Sequence, residues 1–243
     1  MLAVRDIHVS GRLAGLTLEV LPGRVTAVCG PNGAGKSSLL DVLAGLLPPA
    51  AGDVLLDGSP LADLAPRQRA QRIGYLPQTG EAAWNLSVRT LVGLGRLPHA
   101  AGMDEDRRAV DAALAALDLA ALADRPIATL SGGGRARAML ARVLAGEPQV
   151  ILADEPLANL DLAHQAVLLK QLRTMASAGR TVVLVLHDLA AAMNHADQVI
   201  VLDQGRLAAC GPPVTALAEN VIGTVWGVPA KWLGGPGSWA LSV

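Results

Sequence analysis

Residues 30–37 read GPNGAGKS, a match to G-x-x-x-x-G-K-[ST], and they run from VTAVC at 25–29 into SSLLDVLAGLL at 37–47. The first flank is a short apolar strand-like run, and the second carries Leu and Val at helical spacing. The pattern therefore demands a strand, a tight glycine turn and a helix in immediate succession. Glycines at 30, 33 and 35 let successive backbone N–H groups and the helix N-terminus converge on phosphate oxygens. Lys36 adds a point charge at the β- and γ-phosphates of a nucleotide, and the Ser37 hydroxyl is suited to Mg²⁺. Gly30, Pro31, Asn32, Gly33, Ala34, Gly35, Lys36, Ser37 and Ser38 are the expected nucleotide-binding residues.

Further Leu- and Val-rich runs lie at 16–20 (LTLEV), 150–153 (VILA), 181–186 (TVVLVL) and 199–202 (VIVL). Runs apolar on both faces belong inside a sheet covered by helices on each side. Between about 80 and 145 the strands vanish, and 87–95, 104–122 and 131–145 carry Leu, Val and Ala at helical spacing. Ser87 and Ser131 stand where N-caps stand. The expected architecture is α/β, a mixed sheet flanked by helices. One domain spans 1–243, with a nucleotide-binding core of 1–79 and 146–243 and a helical subdomain at 80–145. The turn-rich tail after Gly211 is expected to be peripheral.

An apolar fraction of 51% against 17% charged excludes disorder, and no apolar run approaches the ~18 residues of a membrane span. A formal charge of -1 with no basic block argues against nucleic acid as a main partner. Cys29 and Cys210 are too few for a disulfide framework, and MLAVRDIHV lacks the features of a secretory signal, which together point to a reducing cytoplasm.

Four further features bear on chemistry. In VILADEP (150–156) a buried strand ends in two carboxylates: Asp154 is placed for a Mg²⁺ shell and Glu155 for polarising a water, although acidic pairs at strand ends also serve as helix caps. In LSGGGRARAMLARVLA (130–145) a capped helix opens on three glycines, so that Ser131, Gly132 and Gly133 offer a second anion site. His187 follows TVVLVL at the carboxyl end of a strand, where such sheets place ligands, and capping is its bland alternative. Gln78, in RIGYLPQ, stands between the core and the helical insertion, where an amide could reach Mg²⁺ or water.

Taken together, these motifs resemble the nucleotide-binding subunit of ATP-binding cassette (ABC) transporters over nearly the whole chain. GPNGAGKS resembles the Walker A loop, Gln78 the Q-loop, LSGGG the signature, VILADEP the Walker B strand, ANLD at 158–161 the D-loop and His187 the switch histidine. The resemblance implies a P-loop NTPase core, ATP and Mg²⁺ as cofactors, and a head-to-tail homodimer. In that dimer each ATP lies between one subunit's Walker A loop and the other's signature. The implied catalytic residues are Glu155, His187 and Gln78, and the implied metal ligands are Ser37, Gln78 and Asp154. Gly134 departs from the Gln or Glu usual after the two signature glycines, and Ala136 from a common Gln. No aromatic residue stands in VSGRLAGLTL (9–18) to stack on adenine, which leaves aliphatic contacts such as Leu13.

RIGYLPQ followed by SVRTLVGLGRLPH (87–99) resembles the ATPases of importers for iron-siderophore, haem and cobalamin. The resemblance implies an ATPase that powers metal-chelate uptake from the cytoplasmic face of the membrane, through a separate permease dimer docking near Gln78 and Trp84. A periplasmic or extracellular binding protein would be an indirect partner, and nucleic acid none. The alternative is a soluble ABC-type ATPase of DNA repair or translation, which usually carries a coiled-coil insertion, paired cassettes or a basic arm. A P-loop kinase would lack the signature and the switch histidine.

Overall fold

The computed structural model describes residues 1–78, 86–158 and 160–243. The chain opens with β1 (Leu2–Val9), β2 (Leu13–Val20), β3 (Val25–Cys29), α1 (Lys36–Leu43), β4 (Ala51–Leu56), β5 (Ser59–Pro60), α2 (Pro66–Arg72) and β6 (Ile73–Leu76). The helices α3 (Val88–Gly93), α4 (Met103–Ala116) and α5 (Gly132–Ala145) follow. Then come β7 (Val150–Asp154), α6 (Leu162–Ser177), β8 (Thr181–Val185), α7 (Leu189–His195), β9 (Gln198–Asp203) and β10 (Arg206–Gly211). The tail holds α8 (Pro213–Ala216), α9 (Glu219–Trp226), β11 (Lys231–Leu233) and β12 (Ala240–Ser242).

A six-stranded sheet runs β10-β9-β3-β8-β7-β6, parallel except for the antiparallel edge β10. A second, antiparallel sheet runs β2-β1-β4-β5. The mixed α/β architecture expected from the sequence is the one observed. Successive side chains of a strand point to opposite faces, and the central strands divide their apolar residues accordingly. Ile151, Ala153, Val182 and Leu184 enter one core with the helices between 86 and 145. Val150, Leu152, Val183 and Val185 enter the other with α1 and the antiparallel sheet. Because the central strands are parallel, their carboxyl ends share one rim: Val28 and Asp154 both pair with Val185, and Leu76 pairs with Ala153. The residues that follow β3, β6, β7 and β8 are thereby brought to one edge.

Ser87 and Ser131 cap their helices, their hydroxyls accepting from the backbone N–H of Thr90 and Gly134. The tail corrects the sequence reading, for it is built into the molecule rather than peripheral. Ala216, Leu217 and Ile222 are fully buried. Trp232 donates its indole N–H to Leu217 O at 2.7 Å, and the Asn194 side chain bonds both backbone groups of Trp239, at 2.8 and 2.9 Å. Among the described residues no helix is long and apolar enough to cross a membrane.

Candidate functional site

The turn after β3 delivers the chain into α1 through Gly35, whose φ of 98° puts it in the left-handed region open chiefly to glycine. No side chain caps α1, so its first N–H groups remain open to an anion at the positive end of the helix. Lys36 is buried and folded back over the loop, its ammonium donating to Gly30 O at 2.8 Å and Pro31 O at 2.9 Å. Burial pushes that ammonium below the ordinary lysine range, with Glu155 pulling the other way. Cys29, at the end of β3, is buried, and its thiol is pushed up to about 12, which makes it chemically inert.

Asp154 closes β7, buried, with Oδ1 lacking any protein partner. Burial pushes its carboxyl above the usual range, and the Ser37 hydroxyl works against that shift. Glu155 follows with φ of 50°, an uncommon conformation for a non-glycine residue that aims its side chain across the rim. Both its oxygens are engaged: His187 Nε2 donates to Oε1 at 2.5 Å and Gln78 Nε2 to Oε2 at 2.8 Å. His187 is held in place by the next residue, because Asp188 caps α7 through the N–H groups of Ala190 and Ala191.

Asn32, Gly33, Gly35, Lys36, Ser37, Ser38, Gln78, Glu155 and His187 line one cavity of about 660 Å³, joined by Gly11 and Arg12. That set can hold a polyphosphate on cationic and N–H donors and set a carboxylate opposite it. Three residues of the expected phosphate loop stand back from the wall, Gly30 and Pro31 offering carbonyls to Lys36 and Ala34 being buried in the core, and Asp154 does not line it either. Ser131, Gly132 and Gly133 do not reach this cavity. Gly132 lines a neighbouring cleft of about 190 Å³ with Gln78, Asp154 and Glu155. Leu13 overturns its expected role, being only 4% exposed and packed in the core, so that it presents no face to a base. Gly11 and Arg12 stand at that wall instead, and no motif in the sequence marked them. Trp84 lies outside the described residues, as does Asn159 of the ANLD run.

The ABC transporter family profile matches residues 13–158. The hemin import ATP-binding protein HmuV of Streptomyces coelicolor is 44% identical over 241 residues, covering 98% of this chain and 86% of the relative. An ABC transporter described as of metal-chelate type, solved in an inward-facing conformation, superposes with a TM-score of 0.85 at 28% identity, covering 99% of this chain and 95% of that one. The dimeric structure of a bacterial ABC transporter cassette superposes with a TM-score of 0.79 at 26% identity over 88% of this chain and 99% of the other. The chain belongs to the ABC transporter family, and within it to the ATP-hydrolysing cassettes.

Proposed function

We propose that this chain is the ATP-hydrolysing subunit of an importer for haem, with siderophore and cobalamin uptake as narrower rivals within the same metal-chelate class. The hemin import name carried by its relative supports the cargo. The observation that carries the chemistry is the convergence of Lys36, Glu155, Gln78 and His187 on one cavity. In this reading Lys36 and the open N-terminus of α1 take the phosphates, Glu155 polarises the attacking water, and His187 and Gln78 orient the γ-phosphate and that water. Ser131, Gly132 and Gly133 serve the partner subunit's nucleotide in a head-to-tail homodimer.

A divalent cation fits the oxygen set. Asp154 presents a buried carboxylate oxygen with no protein partner, beside the Ser37 hydroxyl. Among the described residues no cluster of three or more His, Cys, Asp or Glu could hold a metal alone. An ion here would draw its remaining ligands from phosphate and water, the habit of Mg²⁺, with Gln78 as a further ligand. When bound, the ion supplies charge neutralisation on the β- and γ-phosphates.

Residues 1–79 and 146–243 act as the nucleotide core and 80–145 as a helical subdomain that contacts a membrane permease dimer near Gln78. The chain works as a peripheral protein on the cytoplasmic face, and a periplasmic or extracellular binding protein delivers the cargo to the permease. Deleting the gene should abolish growth on haemin as sole iron source while leaving growth on ferric siderophore and cobalamin-dependent growth intact. Intact growth on haemin with loss of either other trait would reassign the cargo.

A further inference from the structure

The cavity wall divides by chemistry. Lys36, Ser37 and the N-terminus of α1 suit phosphate, and Gln78, Glu155 and His187 are joined to one another opposite them. What remains of the wall for a base and ribose is Gly11, Arg12, Asn32 and the loop backbone. Apart from the His187 imidazole, which is engaged with Glu155, no aromatic ring lines the cavity among the described residues.

Arg12 occupies this stretch for structural reasons. It lies in the turn between β1 and β2, closed by Arg12 N–H to Val9 O at 2.9 Å. That turn is locked to the phosphate loop: Ala14 N–H bonds Gly205 O at 2.9 Å, and Gly205 N–H bonds Ala34 O at 3.1 Å. A Cβ on Gly205 would stand 2.4 Å from Arg12 O, so only glycine permits the approach. The backbone of Arg12 is thus fixed beside the loop while its side chain stays exposed. That side chain makes no hydrogen bond or ion pair among the described residues. A planar, weakly hydrated guanidinium with no partner is suited to lie against a π-face.

We propose that the Arg12 guanidinium is the platform on which the purine of the bound nucleotide stacks, so that the cassette discriminates little between adenine and guanine. The proposal rests on the ATPase reading of this cavity. A plane that presses on a ring face reads no edge donors or acceptors, and every purine offers that face.

Calorimetry with ATP, GTP and inorganic tripolyphosphate on the wild type, Arg12→Ala, Arg12→Lys and Arg12→Tyr tests it. In the wild type ATP and GTP should bind within about threefold of each other, because stacking tolerates any base. Arg12→Ala should weaken both by about tenfold, the scale of one stacking contact, and leave tripolyphosphate unchanged. Arg12→Lys, which keeps the charge and loses the plane, should stay near the alanine value, and Arg12→Tyr should restore the wild-type affinity. Equal weakening of tripolyphosphate and ATP in Arg12→Ala would make Arg12 a phosphate cation and overturn the proposal. Unchanged ATP binding in that variant would do the same. A wild type that binds none of the three ligands would instead sink the ATPase reading itself.

Discussion

Asp154 shows at the scale of one residue how a site is kept ready at the expense of stability. Its Oδ1 is buried without a protein partner, and burial raises the carboxyl above its ordinary range. The folded state therefore holds the proton more tightly than the unfolded one. The resulting penalty is absent in acid, below the unfolded carboxyl range, and grows as pH rises from there through the raised folded value. Asp154→Asn should accordingly melt at a higher temperature than the wild type at pH 7 without nucleotide, and the gap should close in acid. The same variant should lose the Mg²⁺ dependence of nucleotide binding. A lower melting temperature at pH 7 with that Mg²⁺ dependence intact would remove Asp154 from the cation site.

Arg96 does for the helical elements what the parallel register does for the sheet. It is 4% exposed, and it ties the turn after α3 to α4 and to the end of α5: Nε donates to Asp106 at 2.7 Å, and one terminal nitrogen donates to Ala145 O at 3.0 Å and Glu147 at 2.8 Å. Its acidic partners are partly exposed and recover water when it is removed, so the cost falls below that of a fully buried pair. Arg96→Met should lose about 2–3 kcal/mol in denaturant unfolding, and Arg96→Lys should recover little of it, because an ammonium cannot span three acceptors in a plane. A lysine variant as stable as the wild type would show that charge alone matters there. The sequence disclosed the elements unevenly. β3, β7, β8 and β9 are apolar on both faces, and α3 and α5 are capped by serine, so period and cap marked them plainly. The whole of β1, β4 and β10 escaped notice, since each exposes part of its length, and β1 is broken by a bulge around Asp6. The order of the tail was hidden for another reason: its anchors are single long-range contacts, such as Asn194 to Trp239, which leave no periodic trace. Within the site, GPNGAGKS, Glu155, Gln78 and His187 could be found because motif spacing encodes them, whereas Arg12 reaches the cavity only through the packing of its turn on Gly35 and Gly205.

For the whole molecule the decisive relation is between the two proposed anion sites. One cavity gathers the loop, Gln78, Glu155 and His187, and the glycine-rich start of α5 does not enter it, Ser131 and Gly132 standing exposed instead. In the proposed reading, these two unlike half-sites are completed head to tail by a second copy, under two-fold symmetry. Nucleotide would then act as the adhesive, and association is expected to depend on its presence. Glu155→Gln isolates this relation, because it keeps the shape of the side chain and its place between Gln78 and His187 while removing the charge that its proposed role in polarising water requires. Size-exclusion chromatography of Glu155→Gln with MgATP, run beside its turnover rate, is the most direct test. The variant is expected to elute as an ATP-bound dimer, and as a monomer without nucleotide, with turnover reduced by about 10²–10⁴. Turnover near the wild-type rate would contradict the role of Glu155, and a dimer that forms equally well without nucleotide would contradict the nucleotide-closed dimer.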